Sequence, residues 1–234
     1  MIEHKILLIE DDVSISEMVK EHLQLEGYHV CCAFDGEEAT RLFEQNTYDL
    51  VLLDLMLPRR NGIDCLQWIR TKSVVPVLIM SAKNSDVDKA LGLGFGADDY
   101  ITKPFSMIEL TARVKAAIRR TVNYAQASQS AENERIKIHE LVVELSSFTV
   151  KKKGEEIKLT AKEFQILKLF VTHPKKVFTK EQLYRSVWND DYYSDENVIN
   201  VHIRRLREKI EDTPSKPQYI KTIWGIGYRM GEFE

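Results

Sequence analysis

Four short apolar runs, each ending in a polar group with chemical capacity, constrain this chain more than any other feature. Lys5-Ile6-Leu7-Leu8-Ile9 leads into Glu10-Asp11-Asp12. Leu50-Val51-Leu52-Leu53 ends on Asp54, ahead of Leu55-Met56-Leu57-Pro58. Pro76-Val77-Leu78-Ile79-Met80 delivers Ser81, and Tyr100-Ile101-Thr102 delivers Lys103-Pro104-Phe105. Runs of this length without polar alternation read as strands buried on both faces. They alternate with helical patterns over residues 1–120, so the expected fold is α/β, a doubly wound parallel sheet with helices on both sides.

In open sheets of that kind, ligands bind outside the carboxyl ends of the strands. Glu10, Asp11, Asp54, Ser81 and Lys103 are therefore expected to share one pocket. An ionised carboxylate leaving a buried strand needs a cation or strong donors. Glu10, Asp11 and Asp54 are hard oxygen ligands that suit Mg²⁺, which takes few protein ligands and keeps several waters. Asp54 is also a candidate nucleophile toward a phosphoryl group, with Lys103 and Ser81 placed to hold the transferred oxygens. Singly, each group has a plainer role: Ser14 with Glu17 is a capping box that could open a helix after the acidic run, and Ser81 a helix cap. It is their joint order at strand ends that points to chemistry.

Residues 1–120 resemble the receiver domain of bacterial two-component response regulators. The resemblance rests on Ile9-Glu10-Asp11-Asp12, Asp54-Leu55-Met56-Leu57-Pro58, Gly62, Ser81-Ala82-Lys83 and the run from Gly96 to Phe105. It implies a five-stranded, flavodoxin-like receiver in which Asp54 accepts a phosphoryl group from a sensor histidine kinase. It implies Mg²⁺ held by Asp11, Asp54 and the backbone carbonyl of Met56, with Glu10 acting partly through water. Ser81 and Tyr100 become the switch pair. Lys89, Asp98, Asp99, Glu109 and Arg113 become the dimer surface, through intermolecular pairs such as Lys89 with Glu109 and Asp99 with Arg113.

Charge is divided unevenly. Residues 1–134 carry 14 Lys+Arg against 21 Asp+Glu; residues 135–234 carry 19 against 15. An acidic first half suits a cation site, and a basic second half permits nucleic acid without proving it. At 234 residues, two domains of roughly a hundred each are expected. The expected division is 1–121, a polar linker at 122–134, and 135–234. No apolar stretch approaches the ~20 residues that span a bilayer, no signal sequence opens the chain, and Cys31, Cys32 and Cys65 form no even disulfide framework. A reduced, cytoplasmic protein is expected.

Past residue 135 the pattern changes to short alternating runs, an antiparallel meander with a turn at Lys153-Gly154. Three helices follow. Thr160 with Glu163 and Thr179 with Gln182 are capping boxes, and Asp195 is placed to cap a third helix running to about Glu211. On that helix Ile199, Ile203, Leu206 and Ile210 form one stripe, while Asn197, Asn200, Arg204 and Arg207 fall opposite. Asn suits adenine edges and Arg suits guanine edges or phosphates. Glu208 and Glu211 leave a charged solvent face open as the alternative. Two short strands around Trp224-Gly225-Ile226-Gly227 complete a winged helix-turn-helix.

Residues 136–232 resemble the effector domain of the OmpR/PhoB class, through Leu159-Thr160-Ala161-Lys162-Glu163-Phe164, the run from Val201 to Lys209, and Gly225-Ile226-Gly227-Tyr228-Arg229. The tail is also similar to that of vancomycin-resistance regulators. The resemblance implies binding to double-stranded promoter DNA, contact with RNA polymerase, dimerisation on phosphorylation, and a regulator rather than an enzyme. Some relatives carry Arg where Trp224 stands, in the wing. A phosphohydrolase of the haloacid dehalogenase type also uses an Asp nucleophile and Mg²⁺, but needs an acid/base two residues on, where this chain has Met56. A constitutive DNA binder would not need the intact pocket.

Overall fold

The four apolar runs become strands because their apolar residues are covered on both faces of a sheet. The computed structural model describes residues 4–82, 92–126, 135–188 and 196–233, and the chain divides into two compact units, Met1–Thr121 and Val122–Glu234. The first contains β1 (Lys5–Ile9), α1 (Val13–Leu25), β2 (His29–Ala33), α2 (Gly36–Gln45), β3 (Leu50–Asp54), α3 (Gly62–Lys72), β4 (Val77–Ser81), β5 (Asp99–Thr102) and most of α4 (Met107–Gln126), whose last five residues fall past the division. The sheet order is β2-β1-β3-β4-β5, parallel throughout. Every residue of β3 and β4 is buried, which accounts for their uninterrupted apolar character. The chain leaves β1 toward one edge and returns to its other side as β3. That reversal opens a crevice at the carboxyl ends of both strands, where Glu10 and Asp54 stand.

Two expectations about element ends are corrected. Helix α1 begins at Val13, with Asp12 as its cap accepting from the Ile15 N–H at 3.1 Å. Ser14 therefore lies inside the helix and does not cap it; an Asp two residues earlier is an equally strong cap. Helix α4 runs through residues 122–126, which were expected in the linker. The segment is polar and small, but it contains no Gly or Pro to stop a helix.

The second unit opens with an antiparallel sheet of β6 (Arg135–Ile138), β7 (Leu141–Glu144), β8 (Thr149–Lys152) and β9 (Glu155–Ile157), ordered as in the sequence. Lys153 (φ 54°) and Gly154 (φ 89°) make its tight turn. Then come α5 (Ala161–Thr172), α6 (Lys180–Trp188), α7 (Glu196–Ile210) and the hairpin of β10 (Ile220–Ile223) and β11 (Gly227–Met230). Thr160 and Glu163 cap α5 reciprocally. Thr179 and Gln182 do the same ahead of α6, at 3.2 and 3.1 Å. Asp195, the expected cap of α7, lies outside the described residues. Ile199, Ile203, Leu206 and Ile210 are all buried, so the apolar stripe of α7 is its core face.

Candidate functional site

In the first unit, strand ends bring the expected groups together. Glu10 follows β1, Asp54 closes β3, Ser81 closes β4 and Lys103 follows β5. Ligand atoms of Glu10, Asp11 and Asp54 lie within 4.8 Å of one another. The Lys103 Nζ donates to both Glu10 carboxylate oxygens, at 2.7 and 2.6 Å, and to Asp54 Oδ2 at 2.5 Å. The Met56 backbone N–H donates to Asp54 Oδ1 at 2.9 Å, fixing the carboxylate from the loop side. Ser81 is buried, and its carbonyl accepts from the Lys103 N–H at 2.9 Å. Tyr100 is buried on β5, opposite Ile79. The Lys103–Pro104 peptide is cis.

The electrostatics of this cluster are unbalanced. Burial pushes the Glu10 carboxyl above its ordinary value, with Lys103 pulling the other way and Asp54 adding to the rise. Burial works to lower Lys103, but its bonds to Asp54 and Glu10 outweigh that and hold the ammonium above its usual range. The Lys103 ammonium bonds two carboxylates, and a third, the exposed Asp11, is grouped with them. A hard divalent cation fits that donor set, and the open Asp11 side leaves room for its waters.

Gly62 has a role that its motif alone does not reveal. Its N–H donates to Leu55 O at 3.2 Å, and a Cβ there would collide with the Asp54 carbonyl oxygen and Leu55 Cα. The loop after Asp54 closes only without a side chain at this position.

The expected dimer surface is redrawn. Asp98 is 4% exposed and belongs to the interior. Its Oδ2 accepts from Arg70 Nη2 at 2.7 Å and from the Val77 N–H at 3.0 Å. Arg70 also donates to Gly96 O at 2.7 Å and Val75 O at 2.6 Å. The pair ties α3 to the start of β4, a long-range use that no local pattern signals. Asp99 and Arg113 pair within the chain at 3.0 Å, and Arg113 also meets Glu109 at 3.1 Å. Lys89 lies outside the described residues.

In the second unit, the polar face of α7 is divided between two uses. The Arg204 side chain is 81% exposed and pairs with Glu208, one turn on, at 3.0 Å. Arg207, expected to point toward DNA, points instead at the hairpin. Its Nε and Nη2 donate to Ile220 O at 3.1 and 2.6 Å, and Nη2 donates to Thr222 Oγ1 at 2.8 Å. Its guanidinium lies 5.6 Å from the Tyr228 ring centroid, and burial lowers its pKa. Asn200 accepts from the Tyr228 hydroxyl at 3.0 Å. Glu211, just beyond the helix, accepts from the backbone N–H groups of Gln218, Tyr219 and Ile220 at 2.7, 2.9 and 2.9 Å. The backbone of Asn197 is helical; its side chain lies outside the described residues. Trp224, at the hairpin tip, is 89% exposed. A cleft of about 720 Å³ separates the hairpin from the start of α6, lined by Thr179, Lys180, Asn200, Trp224, Ile226 and Tyr228.

A further network was not anticipated. Glu163 is fully buried and meets Arg205 at 3.0 Å and Lys209 at 2.6 Å, while its carboxylate also accepts from the Thr160 N–H at 2.8 Å. The capping box was legible; the two cations reaching it from α7 were not.

A phosphoacceptor-type pocket on one unit and a winged helix on the other define a class. The chain belongs to the response regulators of the OmpR/PhoB class, with a receiver domain and a DNA-binding transcriptional regulatory domain. Residues 6–115 match the response regulator receiver domain, and residues 154–230 match the family described as transcriptional regulatory protein, C terminal. An uncharacterized transcriptional regulatory protein of Bacillus subtilis (strain 168), YcbL, is 65% identical over 227 residues, covering 97% of this chain and all of that protein. Among solved structures, a mutant form of RitR is similar with a TM-score of 0.76 and 31% identity, over 98% of this chain and 100% of that one. DrrB, a Thermotoga maritima OmpR/PhoB homolog, gives 0.51 and 33%, over 99% and 100%. Among the described residues, no helix is long and apolar enough to cross a membrane.

Proposed function

We propose that this response regulator is switched by phosphorylation of Asp54 and then binds promoter DNA as a dimer. The observation that carries the reading is the convergence of Glu10, Asp11 and Lys103 on the Asp54 carboxylate. A carboxylate oxygen of Asp54 attacks the phosphorus of a phosphohistidine on a sensor kinase, or of a small phosphodonor. The O–P bond forms as the donor's bond to phosphorus breaks. From phosphohistidine the P–N bond breaks, and the histidine nitrogen leaves with its electron pair and takes a proton from solvent; from a small phosphodonor its own leaving group departs with the pair. Glu10, Asp11, Asp54 and the Met56 carbonyl would hold Mg²⁺, which neutralises charge building on the transferred oxygens. Lys103, released from part of its pairing, meets one phosphoryl oxygen as a point charge, and the Ser81 hydroxyl donates to another.

Drawing Ser81 toward the phosphoryl group makes space into which Tyr100 turns. The surface carrying Lys89, Asp99, Glu109 and Arg113 then pairs across two copies, with Arg113 exchanging its own chain's Asp99 for the partner's. Helix α7 enters the major groove, with Arg204 foremost, and the wing meets the neighbouring minor groove or backbone. Two effector units bind direct repeats about one helical turn apart, ~10 bp, and present the complex to RNA polymerase.

The test is mass spectrometry after incubation with Mg²⁺ and a phosphodonor. A gain of one phosphoryl group on Asp54, lost in Asp54→Asn, is the expected result. Equal incorporation in the variant would sink the assignment.

A further inference from the structure

The wing tip carries two apolar side chains that the fold does not use. Trp224 is 89% exposed and Ile226 is 58% exposed. A solvated tip would gain nothing from an indole, and a tip meant only to hold phosphate would carry Lys or Arg in its place. A nearby cation is present, the exposed Lys221 on β10, so attraction to the backbone is supplied one step away from the tip. The indole is left for a contact of another kind.

The tip is also mounted stiffly. Phe178 and Tyr228 exchange two backbone hydrogen bonds, at 2.8 and 2.9 Å. Gly227 packs so closely on the Phe178 carbonyl that a Cβ would overlap it. Arg207 on α7 and Glu211 just past its end grip the base of β10. The hairpin therefore cannot swing freely away from the reading helix. A stiff holder, a flat apolar blade and flanking positive charge are the parts of a side chain that enters between base pairs. Apolar wedges of this kind unstack one step of the minor groove and kink the duplex by roughly 20–90°.

Resting on the reading of the second unit as a DNA binder, we infer that Trp224 inserts into the minor groove as a wedge, partly unstacking one base step and bending the site. Ile226 covers the sugar beside it. The step selected at that position is a flexible pyrimidine–purine step, TA or CA/TG, which is unstacked most easily. Specificity at this position comes from deformability and not from hydrogen bonds to base edges.

The experiment uses the full chain with a phosphoryl mimic and duplexes recovered by selection against it. End-to-end fluorescence transfer reads the bend, and 2-aminopurine placed at successive steps under the wing reads unstacking. Wild type is expected to shorten the end-to-end distance and brighten 2-aminopurine at one step. Trp224→Ala is expected to lose both signals and about ten-fold in affinity, the order of one base–aromatic stack, with unchanged thermal stability. Trp224→Phe is expected to restore part of both. A wild-type complex that is straight and dark at every step overturns the wedge while leaving DNA binding intact, as does Trp224→Ala bending DNA like wild type. In that case the apolar tip faces a protein. Failure to recover any duplex would remove the DNA reading and the wedge together.

Discussion

Each half of the molecule buries a cluster of charges built from similar parts, and only one of them is proposed as a site. In the receiver, Lys103 bridges Glu10 and Asp54. In the effector, Glu163 is bridged by Arg205 and Lys209. The effector cluster has cations in excess: Arg205 and Lys209 face one carboxylate, which also closes a capping box with Thr160. The receiver cluster has carboxylates in excess, with Asp11 exposed at its open side. Burial and pairing are common to both clusters, so neither marks the proposed site; the excess of carboxylates beside an exposed Asp11 does.

The largest expected effect is on the effector cluster. Glu163→Ala leaves Arg205 and Lys209 without their carboxylate and uncaps α5. It should destabilise the effector by ~3–5 kcal/mol, read as faster hydrogen exchange in α5 and α7 with the receiver unchanged. A cost below that of an ordinary surface substitution would break the contrast.

The receiver cluster should respond to a cation and the other should not. At a hundred times its dissociation constant, Mg²⁺ should stabilise the receiver by ~2.7 kcal/mol and leave effector exchange unaltered. Asp11→Asn should weaken this response. Equal protection of both units would show that the ion acts nonspecifically.

Asp98→Ala tests a third buried pair, one between the first two in kind. Arg70 keeps its bonds to Gly96 O and Val75 O, so the loss should be about 2 kcal/mol, near that of hydrogen bonds to a charged group. Dimerisation with a phosphoryl mimic should persist, since Asp98 is interior, whereas Arg113→Glu should abolish it. Light scattering separates the two variants.

The smallest stability effect belongs to Arg204→Ala. Its exposed pair with Glu208 contributes only ~0.3–0.5 kcal/mol. The DNA contact proposed for it would be worth more: a bidentate base contact accounts for ~1–3 kcal/mol of discrimination at one position. Arg207→Ala should do the reverse, loosening the hairpin and weakening all sequences alike. If Arg207→Ala instead altered the preferred base at one position, the partition of α7 into a reading residue and a bracing residue would fall.

Local pattern carried the receiver well. Strands β1, β3 and β4 are apolar because both their faces are covered, and their ends carry the functional groups, so run and residue could be read together. In the effector, the capping boxes at Thr160 and Thr179 were equally local. Partnership across the fold was not legible. Asn200, Arg204 and Arg207 look alike on a helical wheel, and only the hairpin's position, some 13 to 28 residues onward in the chain, turns two of them inward. Asp98 beside Asp99 gave no sign that one faces Arg70 and the other Arg113. The end of α4 was missed for the opposite reason, since a polar composition was weighed above the absence of a helix breaker.

The closeness of Gly62 to Asp54 has a consequence for inheritance. Codons such as 56 and 58 can drift, because the side chains of Met56 and Pro58 are exposed. Codon 62 cannot accept even a methyl group without displacing the peptide group between Asp54 and Leu55. In a library varying every position, it should show a gap as deep as the one at codon 54, although it contributes no atom to the chemistry. Gly94, where an added Cβ would meet open space, should show none. A lineage of such proteins could exchange kinases, promoters and wing tips freely while never exploring that one site.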